Sequence, residues 1–322
     1  VEVICDEIES YNDSPAELIY DEFENILFKD SSLGHNILGT AEQVRSFTTE
    51  DALRFTRKLY RPDNAIFFAY GDIDFKKLVK LVRRALADDD SGKLAAGILP
   101  QISQITQISR DENPVTTEKS VSSVKSVGPK NYPSVGEEIA GQTIVMQKNT
   151  HQAHVMIGTR AYDVNDDRRM PLYLLNNILG GPGMNAKLNL ALREHNGLVY
   201  TVESTMVAYG DTGTWSIYFG CDEHDIKRCL RLVRKELDRM MEKPLSDSQL
   251  KAAKKQIKGQ IGVACDNREN FALDFGKSFL HYGWEKNVDC LYEQVEAITS
   301  QQIQDVAREL FDKDRLITLI FK

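Results

Sequence analysis

Residues 48–71, TTEDALRFTRKLYRPDNAIFFAYG, align without a gap to residues 299–322, TSQQIQDVARELFDKDRLITLIFK, at an offset of 251. Thr48/Thr299, Arg57/Arg308, Leu59/Leu310, Asp63/Asp314 and Ile66/Ile317 are identities. Both runs read as helix, short turn and strand. At nearly the same offset, 253, the segment around Glu7 meets the segment around Gln260, with Ile8 opposite Ile261 and Asp21 opposite Asp274. Repetition at this scale points to two copies of one α+β unit, and the fold class expected is α+β, two duplicated units of antiparallel sheet packed with helices. The second copy is expected to begin near Thr143. The same offset puts the start of the first near position −108, so the first unit is expected to lack roughly 100 residues at its front.

Within the second copy, residues 188–204 (LNLALREHNGLVYTVES) turn an amphipathic helix into a strand. Leu188, Leu190, Ala191 and Leu192 supply the apolar side, and Gly197 is the expected left-handed stop. Leu198, Tyr200, Val202 and Ser204 are then expected to share one face of the strand. Arg193 leaves the last helical turn and Tyr200 stands near the strand's start. Taken singly, each has a plain structural reading: an Arg in a last turn complements the helix dipole, and a strand Tyr is usually core. Asn189, one turn before Arg193, would line the same face.

Taken together, Arg193-Glu194-x-x-Gly197-Leu198-x-Tyr200, entered from the loop Gly180-Gly181-Pro182-Gly183, resembles the C-terminal half of the insulinase/pitrilysin-type zinc peptidases, which include the mitochondrial processing peptidase. The opening VEVICDEIESYNDSPAELIYDEF is similar to the segment that carries that family's third zinc ligand, which here falls on Glu7. Leu33-Gly34-x-x-Ile37-Leu38-Gly39-Thr40 matches the turn that follows. The resemblance implies a clamshell in which Glu7 binds zinc while Arg193 and Tyr200 hold the substrate from the opposite wall. The family's His-x-x-Glu-His helix is absent: His35, His151, His154, His195, His224 and His281 form no such pattern. In the family it precedes the Glu ligand by roughly 70 to 80 residues, so it is expected upstream. Gln260 stands in the second copy where Glu7 stands in the first, so a metal carboxylate is expected in one copy only. His151 and His154 lie in a run that reads as a strand, where an odd separation puts the rings on opposite faces, and no metal role is expected of them.

Acidic residues exceed basic ones by 48 to 40, and no basic cluster with interleaved aromatics occurs, which argues against nucleic acid and anionic membrane as partners. No apolar run approaches the roughly 20 residues of a membrane span. Cys5, Cys221, Cys229, Cys265 and Cys290 form an odd set without a CxxC pair, as expected of reduced thiols in a cytoplasmic setting. The turn at 180–183 lacks both GxGxxG and a P-loop lysine, so no nucleotide site is expected.

The expected domains are 1–87 (the C-terminal part of the first, zinc-site unit), a linker over 88–141, and a complete second unit over 142–322. The expected function is zinc-dependent endopeptidase action on peptides or small unfolded proteins, this chain being inactive and without zinc when alone. A noncatalytic substrate-binding or structural subunit of the same fold is the alternative. A peptide is the expected substrate, and a homodimer is compatible with the family.

Overall fold

The computed structural model describes residues 1–29, 31–61, 64–87, 140–282 and 287–322, so nearly all of the expected linker lies outside the described residues. The chain forms two compact units: Val1–Ser46 with Asn131–Val263 and Asn287–Lys322, and Phe47–Lys130 with Ala264–Lys286.

The larger unit is built on five strands: β1 (Thr143–Met146), β2 (Ala153–Ala161), β3 (Val199–Ala208), β4 (Gly213–Cys221) and β5 (Ile317–Phe321), in the order β1-β5-β2-β4-β3. β3 and β4 form a hairpin, while the successive strands β1 and β2 are separated by β5. The C-terminal run ITLIF is apolar on both faces, which suits an inner strand. It pairs parallel to β1, Ile144 opposite Leu319, and antiparallel to β2, Met156 opposite Leu319. The sheet is therefore mixed, antiparallel except at that one pairing.

Both faces of the sheet are covered, and every residue of β4 is buried. On one side helix α6 (Arg169–Gly180) packs against β3, and α11 (Ser300–Leu310) packs on α6 and on α7 (Ile226–Glu242). Trp215 of β4 meets Phe311, at the end of α11, with ring centroids 4.4 Å apart. On the other side lies α2 (Pro15–Leu27), whose Leu18, Ile19, Phe23 and Leu27 form one cluster with Met156, Tyr218, Ile317, Leu319 and Phe321. Pro15 opens α2 as its composition predicts. Ser14 and Glu17 have the spacing of a capping box, but the box is not formed: the Ser14 hydroxyl makes no cap bond. Polar contacts fix α2 in place: Tyr20 donates to the Glu203 carboxylate, Tyr209 to Glu24 at 2.9 Å, and Arg160 Nε to the Leu27 carbonyl at 2.7 Å. Ahead of it, α1 (Glu2–Asn12) buries Cys5 and Ile8 against Val44 of α3 (Ala41–Ser46).

The smaller unit holds α4 (Thr49–Leu59), α5 (Phe75–Ala87) and α9 (Arg268–Tyr282). The helix α8 (Asp247–Asp266) ends at the border of the two units, and α10 (Val288–Ala297) returns to the larger one. Residues 65–70, expected as a strand, pair with no strand among the described residues. Their side chains nevertheless pack on α9, with Phe68 against Phe275 at 5.1 Å and Tyr70 against Phe271 at 5.9 Å between ring centroids.

Duplication and compactness are thus interleaved. Helix α2, from the first copy, packs on β5 of the second; α9, its counterpart in the second copy, packs on residues 66–70 of the first, which are the counterpart of β5. The two copies exchange a helix. The shared design extends to the caps: Thr48 with Asp51 and Thr299 with Gln302 form complete capping boxes on α4 and α11.

Candidate functional site

Arg193 and Tyr200 issue from one junction between α6 and β3. The segment expected as a plain helix is π-helical over Asn189–Glu194, and the His195 N–H reaches the Leu190 carbonyl at 3.0 Å. Such single-turn widenings turn the following side chains off the regular helical spacing and recur at functional sites. Gly197, at φ 60°, is the expected left-handed stop, and its N–H closes on the Arg193 carbonyl at 2.8 Å. Asn196 holds the turn from within: its Nδ2 donates to the Ala191 carbonyl at 2.7 Å, and its Oδ1 accepts from Arg228 Nη2 of α7 at 2.9 Å.

β3 then begins with a register shift. Val199 stands opposite Cys221 and Val202 opposite Phe219, so three steps on β3 span two on β4. This bulge corrects the expected alternation: Leu198, Tyr200, Val202 and Ser204 do not share a face, because the extra residue lets Val199 and Val202 lie on the same side. Tyr200 is thereby released from the sheet and is 82% exposed. Bulges are frequent where a strand must re-aim a side chain.

Arg193 is also exposed, with the Glu194 carboxylate 3.9 Å from its Nε. Asn189 does not line this surface. It is buried, and its Nδ2 donates to the Met184 carbonyl at 2.8 Å, closing the loop before the π turn. Glu7 is exposed on α1, beside the buried Cys5 and Ile8, and its side chain forms neither a hydrogen bond nor an ion pair with a described residue. Arg193 and Tyr200 thus both stand exposed on the segment joining α6 to β3, and Glu7 stands on a separate element of the same unit.

Zinc needs three or four ligand atoms converging on one point. Among the described residues the group that comes close is Asp222, His224 and Asp225, which are largely solvent-facing and do not include Glu7. Glu7 belongs to no group of three or more such ligands among the described residues.

Two features escaped the sequence reading. Gln260 Oε1 accepts from Asn177 Nδ2 of α6 at 2.6 Å, so the residue that occupies the place of Glu7 in the second copy is bonded to the helix before the Gly-rich turn. His154 Nδ1 lies 2.8 Å from the Tyr218 hydroxyl, and burial holds its pKa below the usual imidazole value. The duplication pointed to Gln260; nothing in the local pattern around His154 marked its partner.

The sequence profile for the peptidase M16 inactive domain matches residues 46–257, and the chain belongs to that family. An uncharacterized zinc protease of Streptomyces coelicolor is 28% identical over 317 residues, covering 98% of this chain and 63% of the relative. A second, from Bacillus subtilis, is 25% identical over 318 residues, covering 99% and 68%. This chain thus spans about two thirds of the length of these relatives. A Helicobacter pylori protease shares the fold with a TM-score of 0.77 at 17% identity, covering 100% of this chain and 70% of that one. The peptidase M16 inactive domain of Pseudomonas fluorescens does so at 0.70 and 16%, covering 99% and 68%.

Proposed function

We propose that the whole protein is a zinc endopeptidase acting on peptides or small unfolded proteins in a reducing, cytoplasmic compartment. This chain contributes Glu7 as a zinc ligand, with Arg193 and Tyr200 as substrate-holding residues. The observation that carries the reading is the bond between Asn177 and Gln260. Gln260 is the duplicate of Glu7, so by the repeat Glu7 faces a side chain on a helix equivalent to α6, and the imidazole ligands belong on that helix. In the second copy the same place holds an amide pair, which has no affinity for zinc comparable to carboxylate and imidazole. The described residues of this chain supply one ligand, so the chain alone is expected to be inactive and metal-free.

Arg193 and Tyr200 carry the chemistry available here. Both are hydrogen-bond donors held by a rigid junction yet open to solvent, suited to bind a peptide backbone or the oxygen on which negative charge develops. The relatives named as zinc proteases support this reading. The inactive-domain profile over 46–257 favours a second one, a noncatalytic subunit that retains the peptide-holding surface without metal.

The two are separated by measuring zinc content and cleavage of a quenched peptide in the full-length protein and its Glu7→Gln, Arg193→Ala and Tyr200→Phe variants. Glu7→Gln is expected to lose zinc and turnover together. The other two are expected to keep zinc and to lose about 100-fold to 1000-fold in kcat/KM. Wild-type protein free of zinc, or a Glu7→Gln variant with full zinc and full activity, rules out the enzymatic reading.

A further inference from the structure

Helix α7 carries cations where a helix least favours them. Lys227 and Arg228 stand in its first turn, at the positive end of the helix dipole, and no acidic residue shares that turn. From Ile226 through Lys235 the helix has no Asp or Glu, although the chain as a whole has a net charge of -8. Lys227, Arg228, Arg231 and Lys235 are exposed, and Lys227, Arg231 and Lys235 form no ion pair with a described residue. The neighbouring acids are engaged elsewhere: Glu223 with Lys322 at 2.8 Å, Asp222 and Asp225 beside His224, Glu236 with Arg239 and Asp238 with Arg234.

Lys227, Arg231 and Lys235 are four residues apart, so they form one stripe with an axial repeat of about 6 Å. An extended peptide turns every second side chain to the same side, with a repeat of about 7 Å. Laid along α7, such a peptide sets alternate side chains against successive cations. The stripe opens at the candidate site, because α7 packs on the π turn and Arg228 Nη2 donates to Asn196 Oδ1, between Arg193 and Tyr200, at 2.9 Å. No aromatic residue occurs in α7, which leaves single-stranded nucleic acid without the stacking platform it uses.

We infer that Lys227, Arg231 and Lys235, reached past Arg228, select peptides that carry carboxylates at alternate positions of an extended segment lying beyond the part held by Arg193 and Tyr200. The inference rests on the substrate-holding reading of those two residues and names the class of peptide they hold. A carboxylate at the first turn also meets the helix dipole with the favourable sign. All these pairs face solvent, so they set preference and the rate of encounter rather than tight binding.

Fluorescence anisotropy tests this on the full-length protein with metal removed by a chelator, so that peptides bind without being cut. The probes are a labelled peptide with Glu at alternate positions and the same peptide with Gln in their place. At low ionic strength the Glu peptide is expected to bind about tenfold more tightly, and to lose that advantage near about 1 M salt, where screening acts within about 3 Å. Arg231→Gln with Lys235→Gln is expected to bring the Glu peptide to the level of the Gln peptide. Lys251→Gln with Lys255→Gln, an equal loss of charge at exposed positions of α8, is expected to leave both peptides unaffected. Equal affinity for the two peptides, or an equal effect of the two double variants, overturns the inference. So does a single-stranded oligonucleotide that binds more tightly than the Glu peptide and is released by the α7 variant, since the occupant is then a nucleic acid. Zinc content of the untreated protein bears on the peptidase reading and not on the ratio between the two peptides, so the two failures are distinguishable.

Discussion

Tyr209, in the turn of the β3–β4 hairpin, donates a 2.9 Å hydrogen bond to Glu24 of α2. With the Tyr20–Glu203 bond near the middle of β3, it ties a helix of the first copy to the edge strand that carries Tyr200 in the second. The two bonds run in opposite senses, tyrosine on the hairpin to carboxylate on the helix and the reverse. The burial that makes them effective raises the pKa of both phenols. Tyr209→Phe is expected to cost about 1–3 kcal/mol in urea unfolding, because it leaves a half-buried carboxylate without its donor. The double variant Tyr209→Phe with Glu24→Leu is expected to recover part of that loss. No recovery would show that the phenol acts through packing alone.

The same carboxylate gives a pH dependence. Burial holds the Glu24 carboxyl above its usual range, outweighing the opposite pull of the Tyr209 hydrogen bond, and Asp21 adds to the rise. The folded chain therefore binds this proton more tightly than the unfolded chain does. The stability it contributes is fully present below the unfolded pKa and is lost as pH rises through the folded one. Asp21, also raised by burial, acts with the same sign and remains in a Glu24→Gln variant. Urea midpoints measured from about pH 4 to pH 8 are expected to show the variant gaining on the wild type as pH rises. A constant difference across that range would contradict the assignment.

At Gly197 the expectation concerns backbone conformation alone. Its φ of 60° is costly for a residue with a Cβ, and a Cβ there meets open space, so no clash is added. Gly197→Ala is expected to lose about 1–2 kcal/mol, and Gly197→Asn less, since Asn tolerates the left-handed region. Equal losses in the two would point to something other than φ.

Asn196 is a positioning residue in the proposed peptidase. Its amide spans the Ala191 carbonyl and Arg228, so Asn196→Ala frees the junction between Arg193 and Tyr200 without touching either. Loss of two hydrogen bonds is expected to cost about 1–2 kcal/mol in stability. In the full-length protein a tenfold or larger fall in kcat/KM, with zinc content unchanged, is expected to accompany it; Asn196→Asp, which keeps the acceptor for Arg228, is expected to recover part of that loss. A stability loss with unaltered kinetics would confine Asn196 to folding.

The parts of this architecture legible in the sequence were those written in local chemistry. Gly197 announced its stop, and the 251-residue offset announced the repeat. What escaped depends on partners distant along the chain. Periodicity cannot reveal that β5 inserts between β1 and β2, because an apolar run looks alike beside any neighbour. Nor can it show the bulge before Val202, which inserts one residue and reverses the facing of Tyr200 relative to simple alternation. The helix exchange was hidden for the same reason: α2 and α9 have apolar stripes, and a stripe does not name the sheet it covers.

The exchange predicts unequal sensitivity at equivalent positions. Val306 and Phe55 are related by the repeat, yet the first is packed on the second copy's core and the second faces solvent in this chain. Truncating Val306 to Ala removes two buried carbons and is expected to cost about 2 kcal/mol in the 322-residue chain. Phe55→Ala deletes far more apolar surface but is expected to change stability by less than about 0.5 kcal/mol, because that surface is already hydrated. Phe23→Ala, on the exchanged helix itself, is expected to be the costliest of the three at about 3–5 kcal/mol, since Phe23 is buried between α2 and the sheet. A Phe55 penalty as large as that of Val306 would contradict the unequal environments of these two positions.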